Sequence, residues 1–257
     1  MKTPILLSVA LAASASAVTI DSQTRSVSVS NETICDGLET DFAAAQDFDS
    51  FVESLGESGF CPGTQASVGA SQISSLDPNL FTFELVTSRG GFSTADIIQS
   101  CDSTFIIEFT LTEQAAWALS ADILVGDGLA SISLVLPGEF DHSQTGTDVD
   151  AFIGSTGLIS AGTHTFTAIA EILENEPALT VDFVDSIIDG TLRFGIPGDL
   201  DGDGDVDGID LGILLGNWSI PTGSPGCGGQ LPCLSDINGD GVVDGFDLGI
   251  LLSNWTL

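Results

Sequence analysis

The chain contains no tyrosine, and lysine and arginine together number only 4 against 37 acidic residues. That shortage of positive charge excludes nucleic acid and anionic membranes as partners, because both are polyanions recognised through clustered Lys and Arg. Histidine is almost as scarce, His142 and His164 being the whole supply, and no zinc-type pair of histidines is present. Beyond residue 17 no apolar stretch approaches the roughly 20 residues that a membrane-spanning helix needs. Gly (30), Ser and Thr are plentiful instead, a mixture suited to strands and turns rather than to long charged helices.

The first residues carry one clear signal. Met1-Lys2-Thr3 precedes an apolar run from Pro4 to Ala12, and Ala15-Ser16-Ala17 has the small-x-small pattern that a signal peptidase accepts. Residues 1–17 are therefore expected to be a signal peptide cleaved after Ala17, and the protein to be secreted. Loss of Lys2 leaves 37 acids against Arg25, Arg89 and Arg193, a net charge of −34. Asn254-Trp255-Thr256-Leu257 adds no hydrophobic tail followed by basic residues, so retention at a surface is expected to come from a partner.

Five cysteines in an exported chain point to disulfides rather than to metal or redox chemistry. Cys227 and Cys233 are close together and far from the others, so they are expected to close a small loop. Of Cys35, Cys61 and Cys101, one must stay unpaired within the chain, and the spacing leaves open which.

From Leu80 to Ile196 apolar residues recur at every second position. Phe105, Ile107, Phe109 and Leu111 alternate with Thr104, Glu108 and Thr110, which predicts a strand with one buried and one wet face. The same alternation marks Phe81–Leu85, Trp117–Val125, Ile132–Leu136, Phe166–Ala168, Leu179–Phe183 and Leu192–Ile196. Turn formers punctuate them: Gly126-Asp127-Gly128, Pro137-Gly138, Ser160-Ala161-Gly162, Asn175-Glu176-Pro177 and Asp189-Gly190. The expected fold is mainly β, an antiparallel sandwich or jelly roll over residues 18–197. Ser26 to Ser30 alternates Val27 and Val29 and reads as an edge strand. Residues 42–55 fit either an amphipathic helix (Phe48, Phe51, Val52, Leu55) or two short strands.

At Gly195-Ile196-Pro197-Gly198 the texture changes to Asp and Gly at alternate positions, which sets a domain boundary. Aligning Asp199–Trp218 with Asp236–Trp255 gives 15 identities in 20 positions, an internal repeat. In the first copy, side-chain oxygens fall at Asp199, Asp201 and Asp203, followed by Gly204, with Asp210 closing the span. The second presents Asp236, Asn238, Asp240, Gly241 and Asp247. This is calcium-loop spacing: alternate residues face inward, a Gly makes the sharp turn, the next residue (Asp205 or Val242) lends its carbonyl, and a late carboxylate completes the shell. Oxygen ligands without His or Cys favour Ca2+, one ion per loop. Val206 and Val243 are expected in a small core between the loops. Each loop leads into an apolar helix, with Leu211, Leu214, Leu215 and Trp218 on one face of the first, and mid-helix Gly212 and Gly249 suggest a close helix contact.

Neither copy has a helix before its loop, since residues 193–198 and 230–235 are not helix formers, and each closes with Asp where an ordinary EF-hand has Glu. Loop plus following helix, duplicated over residues 198–257, resembles a type I dockerin. The resemblance implies a calcium-dependent module of two antiparallel helices with approximate twofold symmetry, and a cohesin-like scaffold protein as partner. One departure stands out: Gly208-Ile209 and Gly245-Phe246 occupy positions just before the closing Asp that often carry hydroxyls in dockerins.

Dockerins commonly ride on polysaccharide-degrading enzymes, so a glycoside hydrolase or carbohydrate-binding domain is the rival reading for residues 18–197. A glycosidase needs two carboxylates at defined separation, and Glu84, Glu108, Glu139 and Glu171 show no such pairing in the sequence. His164 shares a strand side with Phe166 and reads as packed, His142 as loop, and Trp117 as core. Asn31-Glu32-Thr33 matches a glycosylation sequon. The upstream domain is accordingly expected to be non-catalytic.

Overall fold

The computed structural model describes residues 18–33, 37–93, 97–126, 130–146, 148–176, 181–219 and 233–256. The expected signal segment, Cys35 and Cys227 lie outside them. The strands are β1 (Val18–Thr33), β2 (Gly37–Ala44), β3 (Phe51–Cys61), β4 (Thr64–Asp77), β5 (Leu80–Ser93), β6 (Ile97–Leu111), β7 (Ala115–Val125), β8 (Ala130–Leu136), β9 (Phe140–Thr145), β10 (Val149–Ile159), β11 (Gly162–Glu176) and β12 (Val181–Gly195). Two short helices follow, α1 (Gly208–Gly216) and α2 (Gly245–Ser253). Among the described residues no helix is long and apolar enough to cross a membrane.

The strands form two antiparallel six-stranded sheets, ordered β2-β1-β6-β11-β8-β9 and β10-β7-β12-β5-β4-β3. Their pairing is nested: β5 with β12, β6 with β11, β7 with β10 and β8 with β9. The chain from Leu80 to Gly195 is thus one long doubled ribbon, rolled so that successive pairs alternate between the sheets. The β1–β2 and β3–β4 pairs extend the two sheets beyond β6 and β5. Most of the period-two residues read from the sequence, among them Phe81, Phe83, Leu85, Phe105, Phe109, Leu119, Leu134, Phe166 and Phe194, meet between the layers. Phe83 of one sheet lies 5.2 Å from Phe105 and 5.4 Å from Phe166 of the other, and Phe109 stands 4.8 Å from Phe194. Such aromatic contacts add about 0.5–1.5 kcal/mol each beyond area burial.

Several expectations change. Ser26–Ser30 is not at an edge, because β2 pairs outside β1 from Ser26↔Ala44 to Thr33↔Gly37. Residues 42–55 take the strand alternative. Arg25 is 1% exposed, and its guanidinium donates to the carbonyls of Asp47 and Asp49, both at 2.7 Å. A helix would use those carbonyls internally, four residues on. Burial lowers the Arg25 pKa, against the opposing pull of Asp47 and Asp49. His142 sits in β9 opposite Leu134 rather than in a loop. Asn31 is 2% exposed inside β1, so the sequon is out of reach in the folded chain.

Asp189-Gly190 is not a turn but the middle of β12, where Gly190 pairs with Phe83 on one side and Ala121 on the other. A Cβ there would lie 2.7 Å from the Phe83 ring and 3.1 Å from the Ala121 methyl. The glycine makes room for the central phenylalanine. Gly190→Ala is expected to lower stability by about 1–3 kcal/mol through overpacking, read as the urea midpoint of the sheets at unchanged m-value.

Cys101 is the free cysteine among the described residues, and Cys233 is disulfide-bonded. Cys101 is 2% exposed. Burial pushes its thiol up to about 12, despite hydrogen bonds to the Ser88 and Gly69 backbone. A thiol without thiolate character is a poor nucleophile. Alkylation of Cys101 by iodoacetamide at pH 8 should therefore track global unfolding, and a fast native-state reaction would contradict this burial.

Candidate metal centre

The repeat folds into two loop–helix units by the same local rules. Asp207 and Asp244 are the helix N-caps, their side chains accepting from Ile209 N (2.7 Å) and Phe246 N (2.8 Å). Asp210 and Asp247, three residues on, reach back to accept from the N-cap amides, Asp207 N and Asp244 N, both at 2.8 Å. Each pair is a capping box with Asp in the place usually held by Glu or Gln. The helices end at Asn217 and Asn254, whose side-chain amides donate to Ile213 O (3.3 Å) and Ile250 O (2.9 Å).

Asp199 accepts from Gly202 N at 2.7 Å and Gly204 N at 3.1 Å, one on each carboxylate oxygen. Its counterpart Asp236 accepts from Asp240 N and Gly241 N. Asp201 and Asp203 accept from the amides two residues on, as Asn238 and Asp240 do. Each loop is therefore a chain of Asx-type turns that curls the backbone. Gly204 and Gly241, the expected sharp-turn positions, have φ of +94° and +96°. Gly202 and Gly239 are left-handed as well, a requirement that the ligand pattern alone did not reveal.

Oxygens of Asp199, Asp201 and Asp203 lie within 4.8 Å of one another, as do those of Asp205, Asp207 and Asp210. The structure thus joins the first three expected ligands, and places the Asp205 side chain with the capping pair. In the second loop Asn238 Nδ2 donates to Asp240 Oδ2 at 3.0 Å, an amide donor set against carboxylate charge. Desolvation pushes Asp199, Asp201, Asp205 and Asp236 above the ordinary carboxylate range. Neighbouring carboxylates add to this, while backbone amides oppose it at Asp199, Asp201 and Asp236. Crowded anions that resist ionisation are what a divalent cation relieves.

Asp210 and Asp247 do more than the twelfth position of a ligand list suggests. Both are fully buried. Asp210 also accepts from Leu200 N (2.7 Å) and Asp201 N (3.2 Å), and Asp247 from Ile237 N (2.8 Å) and Asn238 N (3.2 Å). Each carboxylate therefore ties the start of its loop to the first turn of its helix.

The two units complete each other. Ser219 N donates to Val243 O at 2.8 Å, and Thr256 N donates to Val206 O at 2.9 Å, positions related by the same offset of 37 residues. Val206 and Val243 are fully buried, with Leu214 and Leu251, in a second core that also takes in Ile196 and Leu200. Two expectations about the helices are corrected. Leu214 is buried, but Leu215 and Trp218 are 52% and 39% exposed, because a nine-residue helix buries one line of residues, here Asp210 and Leu214. Gly212 and Gly249 make no close helix contact: a Cβ at either meets nothing within 4 Å.

This second core abuts the sheets. Residues of β7, β10 and β12 and the first residue of each loop line a shared cleft, among them Trp117, Thr156, Gly157, Arg193, Asp199 and Asp236. Trp117 is 3% exposed and edge-on to Phe140, as expected of a core residue. The upstream acids lie apart: Glu84 is exposed on β5 of one sheet, Glu108 is exposed on β6 of the other, where it accepts from Ser22, Glu139 is exposed in the β8–β9 turn, and Glu171 accepts from Ser131. His164 is half-buried against Phe109 at 5.7 Å, its Nε2 2.8 Å from Ser160 O.

No family model and no curated protein matches the chain. Among solved structures, it is similar to a family two carbohydrate esterase from Cellvibrio japonicus, at 11% identity over 50% of this chain and 34% of that one, with a TM-score of 0.19. It is also similar to infectious bursal disease virus, Gx strain (11% identity, 72% and 58% coverage, TM-score 0.22), and to T=1 particles derived from that virus (9%, 70% and 70%, 0.24). The chain spans about a third of the esterase. At such TM-scores none of these likenesses bears on fold or function.

Proposed function

We propose that residues 198–257 form a calcium-loaded, dockerin-like module that docks a secreted protein onto a cohesin-type scaffold, and that residues 18–197 are its cargo, a jelly-roll-like and non-catalytic sandwich. The observation that carries the reading is the matching hydrogen-bond scaffold of the two loops, which brings the oxygens of Asp199, Asp201 and Asp203 together in the first and repeats the same turns at Asp236, Asn238 and Asp240 in the second. With the carbonyls of Asp205 and Val242 and the carboxylates of Asp210 and Asp247, these residues fit a hard cation with six or more oxygen ligands. Bound Ca2+ would supply the positive charge that the crowded carboxylates lack.

The docking surface follows from exposure. Ile209 and Phe246 are 57% and 72% exposed, and Leu215 and Leu252, both 52% exposed, lie six residues further along the same helices, with Gly212 and Gly249 midway between. Two short apolar stripes related by the repeat suit a partner that lays a flat surface across both helices. The test is a pull-down from the source secretome with the mature chain. A cohesin-type protein should be captured with calcium, lost with chelator, and lost in the Ile209→Ser/Phe246→Ser double variant. Capture of no such protein would remove the docking role while leaving the calcium assignment standing.

A further inference from the structure

We infer that the sandwich is part of the second calcium site: Thr156 of β10 seats the loop Asp236–Asp247, so that calcium uptake and seating of the loop on the sheet are one linked equilibrium. The inference rests on the calcium reading above. Its own observations are contacts across the boundary between the two units. Thr156 Oγ1 donates to the backbone carbonyl of Asp236, the first ligand of the loop, at 3.0 Å. The carboxylate of that residue is held in turn by Asp240 N and Gly241 N. Three residues on, Gly239 presses on the same strand. A Cβ there would lie 2.4 Å from Thr156 O and 3.2 Å from Gly157 Cα. Leu158 of β10 and Ile196, just beyond β12, pack into the core under the loops.

The first loop provides an internal contrast. Gly202 occupies the same loop position as Gly239 with nearly the same φ, +79° against +74°. Its neighbour is the tip of an exposed side chain, Arg193 Nη2, 2.4 Å from an added Cβ. A flexible guanidinium moves aside at little cost, whereas the backbone of a paired strand does not. The two loops, alike in their turn pattern, are therefore inequivalent in support: the second stands on the backbone of a paired strand, the first beside an exposed guanidinium. Thr156 acts as a positioning residue, fixing the carbonyl of Asp236 and with it the direction of the first ligand. Thermodynamic reciprocity then requires calcium to tighten the contact with β10.

The experiment is calorimetric calcium titration of the mature full-length chain and four variants, with amide hydrogen exchange of the same samples. Thr156→Val removes the donor at constant shape and should weaken one of the two calcium steps by about three- to tenfold, the worth of one hydrogen bond. Thr156→Ser keeps the hydroxyl and should restore wild-type affinity, which a purely steric role would not predict. Gly239→Ala should weaken binding more than Gly202→Ala, although both bear the same left-handed strain. Calcium should slow exchange at residues 156–158 in the wild type. Unchanged steps in Thr156→Val, with Gly239→Ala matching Gly202→Ala, would overturn the inference and leave the calcium sites intact. No heat of uptake in the wild type would overturn the calcium reading itself.

Discussion

Chelating calcium from the mature protein is expected to unfold residues 199–256 while the two sheets keep their far-UV β signal. A unit of about 60 residues has a stability on the order of 3–9 kcal/mol. Each ion held at a hundredfold excess over its Kd supplies about 2.7 kcal/mol of that. Two such ions would account for most of what holds the unit together, since its buried core is small and led by Val206, Leu214, Val243 and Leu251. The sheets have their own aromatic core and lose only a neighbour at one end. Trp218 and Trp255, both in the repeat, report the transition by fluorescence. Asp203→Ala with Asp240→Ala should mimic the chelator.

Acid separates the two states further. The pKa values of Asp199, Asp201, Asp205 and Asp236 are raised above the ordinary 3.8. Without a cation, the folded unit then binds protons more tightly than the unfolded chain does. Its stability is fully present below that ordinary value and is lost as pH rises through the raised ones. With calcium the sign reverses, because the ligands must be ionised and falling pH displaces the ion. Mild acidification should consequently shift the chelated unit back toward the folded state and destabilise the loaded one. Parallel slopes in the two states would contradict metal binding at these carboxylates.

Asp247→Asn, a change of one atom, is expected to cost the module 3 kcal/mol or more and abolish the second calcium step. The Asp247 carboxylate is fully buried and accepts from Ile237 N, Asn238 N and Asp244 N. An amide offers one oxygen where three donors converge on two, so at least one backbone N–H would face an NH2 group. Hydrogen bonds to a buried charge are worth about 1.5–3 kcal/mol each, and a buried donor left without an acceptor carries a comparable penalty. Asp210→Asn should do the same to the first loop, where Leu200, Asp201 and Asp207 supply the three amides. Denaturant unfolding followed through tryptophan fluorescence measures the loss. A change below about 1 kcal/mol would show that these carboxylates are ligands alone and not the ties between loop and helix.

The turn geometry of the loops was legible because it is confined to twelve residues: Asx turns and capping boxes are made between positions two to five apart, and the repeat doubles the signal. Strand identity was legible for a similar reason, since Phe105, Ile107 and Phe109 declare a buried face by alternation whatever lies opposite. Where local signals conflict with distant packing, the sequence misled. Asp189-Gly190 has the composition of a turn, yet it crosses the Phe83 ring inside β12. Gly212 and Gly249 look like contact glycines, yet they face solvent. Residues 42–55 carry a helical stripe that Arg25, some twenty residues earlier, overrides by capturing carbonyls.

By itself, then, the sequence determined that the chain is mainly β and that residues 199–255 hold two twinned acidic loops each followed by a helix. Periodicity, spacing and composition act within a few residues or over the whole chain, so they need no knowledge of neighbours in space. Only the tertiary structure decided the nested order of the strands, the free state of Cys101, the three-amide duty of Asp210 and Asp247, and the seating of the second loop on Thr156. Each of these depends on which surfaces meet across long stretches of chain, and that is set by the packing of all of them at once.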